Sequence, residues 1–487
     1  MSEDIVIGID IGTQGVRVLA VDHGGRIVAS ASEKFALSSV QLPTGWAEQD
    51  ALTWWSGAAS CLRQLTGALP PDANISGIAI DATSGTVLPI DGAGRPLHNA
   101  LMYNDARSEP YVLAVRRSAQ DLETRLGYAF NASFALPKLL WLQKERPEIA
   151  ANTRHYIHAT DFIAGRLTGD YAVTDYSNAL KTGYDLLNHE WPAFIENELG
   201  LEIAKLPRVV APGKPIGAVT SRAALETGLQ AGIPVYGGAT DGTAAQIASG
   251  AVDPGSWNSS LGTTLVIKGI TRQLLVDPQR RVYSHRHPDG WWMPGGASNT
   301  GSEWIRRDYP ERDIALLDET AATLTPTGLI RYPLARTGER FPFLNSKAIG
   351  FIVAPDGHAP DPTDPRAYAA GLEGTAMVER LAYETLEQIG AVVGDRIYST
   401  GGGSRSLIWL RMRASMLNRQ LVRPTSSETA MGAALLAAGG AWYGSLSAAS
   451  RAMIRPDLSV DPEPALTQPY NAMYAVFCDQ LRSRGYL

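Results

Sequence analysis

The sequence predicts an α/β protein made of two related lobes, and two observations lead to that prediction. The chain opens with three runs of strand character, Ile5–Asp10, Val16–Val21 and Arg26–Phe35, which are joined by tight turns. A similar strand, Gly-Thr turn and strand recur at Trp257–Ile267, about half the chain later. A dinucleotide-binding Rossmann unit opens strand–loop–helix, so the opening pattern excludes that fold.

Length and composition support a large folded protein with small-molecule partners. The 487 residues exceed the size of one ordinary domain. Hydrophobic residues make up 45% of the chain and charged residues 19%, which provides a large core and excludes disorder as the main state. The net charge of −6 gives no basic field for nucleic acid or an anionic membrane. Local backbone dipoles could still hold a small anionic substrate, and a homodimer is left open.

The compartment is predicted from the cysteines and from the absence of targeting signals. Cys61 and Cys478 are too few for a disulfide framework or a zinc knuckle. The first residues are acidic, whereas a signal peptide begins with basic residues. The uncharged stretch 429–450 is broken by Gly439-Gly440, so we expect a packed helix rather than a membrane span. A soluble, cytoplasmic protein is expected.

Between the two hairpins, the sequence predicts alternating helices and strands. A boundary near residues 246–256 gives an N-terminal lobe, 1–246, and a C-terminal lobe, 247–487. The predicted helices are Ala51–Leu65, Pro110–Leu126, Leu136–Lys144, Ala159–Leu167, Asp241–Ser249, Arg366–Ile389 and Ser406–Leu417. The further predicted strands are Gly77–Asp81, Ile233–Gly238 and Arg396–Thr400.

Two small-residue loops are candidates for phosphate binding. Gly12-Thr13 follows the strand-end carboxylate Asp10, and Gly262-Thr263 lies in the second hairpin. Backbone N–H groups of such loops, together with a threonine hydroxyl, can bind phosphate without a cationic side chain. Asp10 is placed to hold Mg²⁺, through water, because this ion dehydrates reluctantly. Either loop alone is also compatible with an ordinary hairpin turn.

Asp241 is the clearest candidate for a catalytic group. It lies between a predicted strand and a predicted helix, in the run Gly237-Gly-Ala-Thr-Asp-Gly242, whose small neighbours leave it open to a substrate. A phosphoryl-transfer enzyme needs a carboxylate within reach of the attacking hydroxyl. The same position also suits a helix cap, and the spacing alone does not separate the two roles.

The remaining motifs are less specific. Gly401-Gly-Gly-Ser404 follows a predicted strand and could form a flat surface for a purine, or a simple turn. The pairs His155/His158 and His285/His287 lack the partners of a metal site. No GxxxxGK[ST] loop and no GxSxG elbow occur, which excludes a P-loop nucleotide site and a serine-hydrolase elbow.

Together these segments resemble the FGGY family of carbohydrate kinases over nearly the whole chain. No single segment is specific, but their order and spacing are. The segments that carry the resemblance are Gly8–Thr13 with Arg17, Gly45–Asp50, Tyr103–Arg107, Lys138–Leu142, Gly237–Gly242, Ser260–Thr264, Gly338–Pro342 and Gly401–Ser406.

The resemblance implies a fold and a role for each candidate residue. It implies two ribonuclease-H-like, actin-like ATPase lobes, with ATP and sugar meeting in a cleft between them. By likeness, Asp10 is the residue associated with Mg²⁺ and Asp241 is the general base. The resemblance places the ATP phosphates and adenosine on Gly12, Thr13, Gly262, Thr263, Gly402, Gly403 and Ser404.

The resemblance also implies a class of sugar. Gly45–Asp50 and Gly401–Ser406 look like the xylulose-kinase branch, whereas the segment Asp81–Thr86 resembles the group that phosphorylates D-ribulose. We therefore expect ATP-dependent phosphorylation of the terminal hydroxyl of a ketopentose. The residues expected at the sugar are Thr83, Ser84, Asn104, Asp105 and Asp241. The alternatives are a kinase for glycerol or another polyol, an actin-like ATPase without a sugar, and a sugar sensor without turnover.

Overall fold

The computed structural model describes residues 4–36, 41–354 and 365–487. Its strands are β1 Asp4–Ile11, β2 Gly15–Asp22, β3 Ile27–Lys34, β4 Glu48–Gln49, β5 Asn74–Ala82, β6 Leu88–Ile90, β7 Ala100–Leu101, β8 His155–Ile157, β9 Val173–Asp175, β10 Arg208–Val210, β11 Pro215–Ala218, β12 Pro234–Tyr236, β13 Ala239–Thr240, β14 Trp257–Leu261, β15 Leu265–Gly269, β16 Val282–Arg286, β17 Trp292–Ser298, β18 Ile330–Tyr332, β19 Phe351–Val353, β20 Arg396–Thr400, β21 Gln420–Pro424 and β22 Pro456–Val460.

The α-helices alternate with these strands, as the sequence predicts for an α/β protein. They are α1 Ala51–Ala68, α2 Val112–Ser118, α3 Gln120–Leu126, α4 Ala135–Glu145, α5 Pro147–Asn152, α6 Ala159–Thr168, α7 Tyr176–Lys181, α8 Phe194–Asn197, α9 Ser221–Thr227, α10 Asp241–Ala248, α11 Glu303–Asp308, α12 Ile314–Leu324, α13 Pro365–Gln388, α14 Leu407–Leu417, α15 Thr429–Ala438, α16 Leu446–Met453 and α17 Pro464–Ser483. Short 3₁₀ turns and one π-helical turn, Gly439–Tyr443, complete the set for the described residues.

By their packing, the described residues form two units. The first unit takes the chain up to Gly250, with His285–Gly290 and Ser426–Ile454. The second unit takes Ala251–Ser284, the described part of 291–425, and Arg455–Leu487. Residues 426–454 thus pack in the first unit, although they follow the predicted boundary near residues 246–256.

The first unit is built on a seven-stranded mixed sheet. Its strand order is β11-β12-β5-β1-β2-β3, and β13 pairs with β5 beside β12. Strands β1, β2 and β3 are antiparallel, as the sequence predicts, whereas β1, β5 and β13 run parallel. One face of β1 contributes Ile5, Ile7 and Ile9 to a core that also contains Trp54 of α1. On the opposite face, helix α15 approaches closely enough that a Cβ atom at Gly8 would lie 1.9 Å from the carbonyl oxygen of Ala430.

The second unit contains a second seven-stranded mixed sheet, of order β16-β17-β15-β14-β20-β21-β22. The predicted hairpin at Trp257–Ile267 is its antiparallel pair β14 and β15, and β14 also pairs parallel with β20. A separate core, which includes Trp257, Trp304 and Tyr368, lies against this sheet. Each unit therefore has a strand–turn–strand hairpin next to parallel strands, which confirms the expected duplicated α/β architecture.

The predicted helix Pro110–Leu126 is wrong as a single element. The structure has a 3₁₀ turn at Glu109–Tyr111, then α2 and α3 with a break at Ala119. The other predicted helices are present with ends shifted by at most a few residues. Helix α1 begins after Asp50, whose side chain accepts from the Leu52 amide and caps the helix.

Candidate active site

Three parallel strands of the first unit bring three carboxylates to one edge of the sheet. In the β1–β5 register Asp10 is opposite Asp81, and in the β13–β5 register Ala239 is opposite Asp81. Asp241 follows β13 directly. Because the carboxyl ends of parallel strands meet at the same edge, Asp10, Asp81 and Asp241 are neighbours, as is typical of ligand sites in α/β sheets.

Asp10 is partly buried at the end of β1. One of its carboxylate oxygens accepts a hydrogen bond of 2.5 Å from the hydroxyl of Thr429, at the start of α15. In the loop that follows, the Gly12 amide donates to the Gly15 carbonyl at 2.9 Å, and Thr13 is exposed. The side chain of Gln49 donates to the Thr13 carbonyl at 2.6 Å. The predicted phosphate loop is thus a fixed turn with an exposed tip.

Asp241 is the first residue of α10, and the cap position belongs to Thr240. Asp241 is therefore not the N-cap residue, but its carboxylate still bonds to an amide of the first turn, and its catalytic role stays a prediction. Its Oδ1 accepts from the amide of Gly242 at 2.6 Å, and its side chain is only partly buried. The Thr240 amide donates to the hydroxyl of Ser177 at 2.8 Å, and that hydroxyl donates to Asp175 at 2.6 Å. This chain of hydrogen bonds fixes the backbone immediately before Asp241.

Asp81 is the carboxylate that sequence reasoning did not single out. It is fully buried, and its carboxyl hydrogen-bonds to that of Asp10, while no N–H or hydroxyl donor from the described residues reaches its oxygens. Burial, followed by the nearby Asp10 and Asp241 carboxylates, raises the pKa of Asp81 well above its usual value. Its position at the end of a buried strand, like that of Asp10, is the signal that could have identified it.

The predicted sugar residues Thr83 and Ser84 lie in the turn after β5. The hydroxyls of Thr83 and Thr86 are 2.9 Å apart and bond to each other. Ser84 is partly exposed, but its Oγ is buried and has no partner among the described residues. Gly85 has φ +75°, and a Cβ atom there would lie 2.3 Å from the Ser133 carbonyl oxygen, so this turn requires glycine.

Lys138, which the sequence identified only as part of a family segment, supports this turn. Its side chain is fully buried, and Nζ donates to the carbonyls of Gly85 at 3.1 Å and Phe134 at 3.3 Å. Burial lowers the pKa of Lys138 to about 7; Lys181 lowers it further and Asp105 opposes the shift. Lys138 therefore holds the turn that presents Ser84.

The two predicted sugar residues on the next segment differ in exposure. Asn104 is exposed, whereas Asp105 is buried. The Asp105 carboxylate accepts from the guanidinium of Arg107 and from the amide of Ala47 at 2.6 Å. Arg107 also pairs with Glu48 at 2.7 Å and lies over the ring of Trp46. Asp105 therefore already has donors for both oxygens, while Asn104 is the accessible member of the pair.

In the second unit, the two predicted nucleotide segments lie side by side. They follow the parallel strands β14 and β20, in which Ser260 is opposite Thr400. A Cβ atom at Gly401 would lie 2.6 Å from the Leu261 carbonyl oxygen, and one at Gly403 would lie 2.6 Å from the Leu261 side chain. Glycine at these positions thus allows the run to pack directly against the residue before Gly262.

Both segments are held by local hydrogen bonds. The Gly262 amide donates to the Thr264 carbonyl at 3.0 Å, and Thr263 is exposed. Both the amide and the hydroxyl of Ser302 donate to the Gly262 carbonyl, a contact that the sequence did not suggest. Gly402–Arg405 forms a 3₁₀ turn, with Gly402 exposed and Gly403 and Ser404 buried. Ser404 donates to the Gly401 carbonyl at 2.7 Å.

The described residues give little support to direct metal binding or to chemistry at the histidines and cysteines. Within them, no group of three or more His, Cys, Asp and Glu side chains is placed to hold a metal ion directly. His158 is buried, with Nδ1 2.9 Å from the Thr86 carbonyl and Nε2 3.0 Å from the Thr182 hydroxyl. Cys61 and Cys478 are both free and buried. No helix in the described ranges has the length and apolar character needed to cross a bilayer.

Comparison with known proteins identifies the family. Residues 5–248 match the N-terminal domain, and residues 257–441 the C-terminal domain, of the FGGY family of carbohydrate kinases. The xylulose kinase of Bacillus subtilis is 27% identical, over 97% of this chain and 95% of that protein. The gluconokinase of the same bacterium is 25% identical, over 88% and 86%. The crystal structure of xylulose kinase from Rhodospirillum rubrum superposes with a TM-score of 0.87 at 28% identity, covering 98% of each chain.

The fold and the matched domains define a two-domain α/β phosphotransferase of the actin-like type, as the sequence predicted. The chain belongs to the FGGY family of carbohydrate kinases. It is therefore an enzyme that transfers a phosphoryl group to an alcohol group, in a family for which ATP is the expected donor.

Proposed function

We propose that this enzyme phosphorylates the terminal hydroxyl of a ketopentose, D-ribulose or D-xylulose, with ATP and Mg²⁺. The observation that carries the proposal is the partly exposed Asp241 beside Asp10 and the Thr83-Ser84 turn, at one edge of the first unit's sheet. Similarity to proteins named xylulose kinase in several species supports the sugar class.

Asp241 is the proposed general base. The attacking hydroxyl must lose its proton as the bond to phosphorus forms, and a carboxylate within hydrogen-bond reach accepts it. Gly242 donates to Oδ1 of Asp241, which orients the carboxylate. The hydrogen bonds from Asp175 through Ser177 to Thr240 keep this carboxylate in position.

The phosphate-binding role is assigned to backbone donors. The turns at Gly12-Thr13 and Gly262-Thr263 present exposed threonines and have no Cβ at the glycines, so phosphate oxygens can approach main-chain N–H groups. Gly402, Gly403 and Ser404 are proposed to lie on the adenosine side, where the exposed Gly402 offers a flat surface.

Asp10 fits the binding of Mg²⁺ through water. Magnesium prefers oxygen ligands and usually keeps several waters, so one protein carboxylate is sufficient in such a site. The bond from Thr429 fixes the Asp10 carboxylate and uses one of its oxygens. When bound, the ion would neutralise charge on the phosphates. The chain's own contribution is to orient Asp10 and to present the adjacent Gly12-Thr13 turn.

The sugar itself is proposed to contact Thr83, Ser84, Asn104, Asp105 and Asp241. Ser84 and Asn104 are the accessible members of this set. Since Asp105 already accepts from Arg107 and Ala47, a direct contact with the sugar would use a remaining lone pair.

The test is a screen by coupled ADP detection with D-ribulose, D-xylulose, ribitol, glycerol and D-gluconate, each with ATP and Mg²⁺. A ketopentose should give the highest kcat/KM, and ADP release without an acceptor should be slow. A clear preference for glycerol, ribitol or gluconate would contradict the proposed sugar class. Equal ADP release with and without every acceptor would instead favour an ATPase.

A further inference from the structure

The buried carboxylate of Glu339 accepts five hydrogen bonds from the described residues, and none of these donors carries a charge. Glu339 lies in the second unit, in the segment Gly338–Pro342, which takes no part in the proposed sugar, Mg²⁺ or nucleotide contacts. The donors are the hydroxyls of Ser298, Thr300 and Tyr332, at 2.8, 2.9 and 3.0 Å, and the amides of Asn299 and Arg340, at 2.6 and 2.9 Å. A buried carboxylate needs such donors, and each bond fixes the group that donates it.

Three of these donors are consecutive residues, 298–300, at the end of β17. Ser298 is opposite Leu265, the first residue of β15, so this end of β17 lies beside the turn between β14 and β15. Glu339 is also held by its own backbone, since its amide and carbonyl both bond to Asn345, at 2.8 and 3.0 Å. The carboxylate therefore fixes the end of β17 to a neighbouring turn.

The next two residues of the chain contact the second proposed phosphate turn. A Cβ atom at Gly301 would lie 2.4 Å from the Thr263 carbonyl oxygen, so the backbone at Gly301 packs directly on that turn. The amide and hydroxyl of Ser302 donate to the Gly262 carbonyl at 2.8 and 2.7 Å. The segment 298–302 is thus bound to Glu339 at one end and to the phosphate turn at the other.

The bonds from Ser302 decide which way the Thr263 amide faces. The Gly262 carbonyl and the Thr263 N–H belong to one trans peptide unit and point to opposite sides of it. Because the carbonyl is turned toward Ser302, the Thr263 N–H is turned away from the segment 298–302. The Gly262 amide already donates to the Thr264 carbonyl. The Thr263 N–H is therefore the phosphate donor that this arrangement orients.

We propose that Glu339 is a positioning residue for phosphoryl transfer, which acts through the segment 298–302 on the turn that binds the ATP phosphates. This inference rests on the proposed phosphate-binding role of Gly262 and Thr263 and adds the group that fixes their geometry. Glu339 does not touch the nucleotide in this role, because a carboxylate offers no donor to a phosphate oxygen. A donor displaced by about 1 Å can cost about 10²-fold in rate.

The experiment compares two probes by titration calorimetry on the full chain: adenylyl imidodiphosphate with Mg²⁺, and adenosine. The wild-type protein should bind the ATP analogue more tightly, because adenosine has no phosphates. Glu339→Ala should weaken the analogue about 10- to 100-fold and change the affinity for adenosine by less than about threefold. In turnover assays, kcat/KM for ATP should fall by a similar factor, whereas KM for the sugar should stay the same.

Glu339→Gln is the conservative variant that should restore binding. Its Oε1 can still accept from the two amides, and its Nε2 can donate to two of the three hydroxyls, since a hydroxyl accepts as well as donates. Its affinity for the analogue should therefore stay within about threefold of that of the wild type.

Glu373→Ala is the matched control for a merely structural effect. Glu373 is also a fully buried glutamate of the second unit, and it accepts from the hydroxyls of Thr325 and Thr327 and from the Thr327 amide. Its loss should reduce stability without changing the ratio of analogue to adenosine affinity. If Glu339→Ala does not fold, Ser302→Ala tests the same connection, because it removes one of two bonds to Gly262. It should weaken the analogue about 2- to 10-fold and leave adenosine unchanged.

The outcomes separate this inference from the proposed function. Equal loss of affinity for both probes in Glu339→Ala, or no loss for either, would overturn the role of Glu339 and leave the proposed function intact. A wild-type protein that binds the analogue no more tightly than adenosine would reject the phosphate-binding role of the turn, and the role of Glu339 with it.

Discussion

Asp241 can be tested by a change that keeps its shape. In Asp241→Asn, the side-chain oxygen can still accept from Gly242, so the start of α10 should be preserved. The amide cannot accept a proton from the sugar, and kcat should fall by about 10²- to 10⁴-fold. Coupled ADP detection measures kcat, and titration calorimetry should show little change in sugar affinity. A kcat near that of the wild type would leave Asp241 without a catalytic role.

Lys138 provides a pH-dependent prediction at the same scale. Its pKa is about 7 in the folded protein and 10.5 in an ordinary environment. Between these values the unfolded chain binds a proton that the folded chain does not, so stability rises with pH from about 7 to 10.5. Below pH 7 both states are protonated, and the cost of the buried charge is fully present.

The variant Lys138→Met should lack this dependence. Between pH 7.5 and 9, the free energy of unfolding of the wild type should rise relative to the variant by up to about 1.4 kcal/mol per pH unit. Denaturant unfolding at several pH values measures this difference. Lys144→Met, at an exposed position of the same helix, should follow the wild type. Parallel pH profiles for Lys138→Met and wild type would show that Lys138 is charged in the folded protein at these pH values.

At the scale of elements, glycine allows helix α15 to lie directly on β1. A Cβ atom at Gly8 would lie 1.9 Å from the Ala430 carbonyl oxygen, and backbone cannot move aside as a flexible side chain can. Gly8→Ala should therefore reduce the free energy of unfolding by about 3 kcal/mol or more. Gly67→Ala is the control, because within the described chain nothing lies within 4 Å of its Cβ position in α1.

The control should change stability in the opposite direction. Alanine in a helix is favoured over glycine, so Gly67→Ala should add about 0.5–1 kcal/mol. Urea unfolding followed by circular dichroism measures both variants. If Gly8→Ala changed stability by less than about 0.5 kcal/mol, the close packing of α15 on β1 would be wrong.

The sequence predicted well the helices and strands that are marked by a hydrophobic pattern within their own residues. Strand β1 is apolar on both faces and reads as a continuous hydrophobic run, because the core lies on one side and α15 on the other. The break at Ala119 has no glycine or proline to mark it, so the periodicity of 110–126 predicted one helix. Packing against neighbouring elements, which a single sequence does not contain, decides such breaks.

The candidate site was predictable to a similar extent. Asp10 and Asp241 are adjacent to glycine-rich turns, which identify them from the sequence. The sequence did not identify Asp81 as a site residue, because its position beside Asp10 depends on the parallel pairing of β1 and β5, which only the structure gives. The return of residues 426–454 to the first unit was missed for the same reason, because an apolar helix does not show which sheet it covers.

At the scale of the whole molecule, each unit has its own hydrophobic core. A destabilising substitution in one core should therefore speed hydrogen exchange mainly within that unit. In the second unit, Glu379 and Arg413 form a fully buried ion pair, and Arg413 also donates to Ser399 of β20. Glu379→Gln leaves a buried guanidinium without its carboxylate, which should cost about 3–5 kcal/mol. Hydrogen exchange should become faster in α14 and β20, and stay slow in β1 and β5.

Asp479→Asn breaks an exposed ion pair with Arg482 and is the matched control. Exposed pairs contribute little, so its exchange pattern should equal that of the wild type. Equal acceleration of exchange in the sheets of both units by Glu379→Gln would show that they open as one cooperative body.

The position of α15 has a consequence for synthesis on the ribosome. The first unit's sheet leaves the exit tunnel early, but the helix that covers β1 at Gly8 is translated only after Thr425, behind most of the second unit. At about 5–20 residues per second, the completed nascent sheet waits for about 10–40 seconds with that apolar face uncovered. During this interval the face is a natural target for a chaperone, and a chain released before α15 would be prone to aggregate.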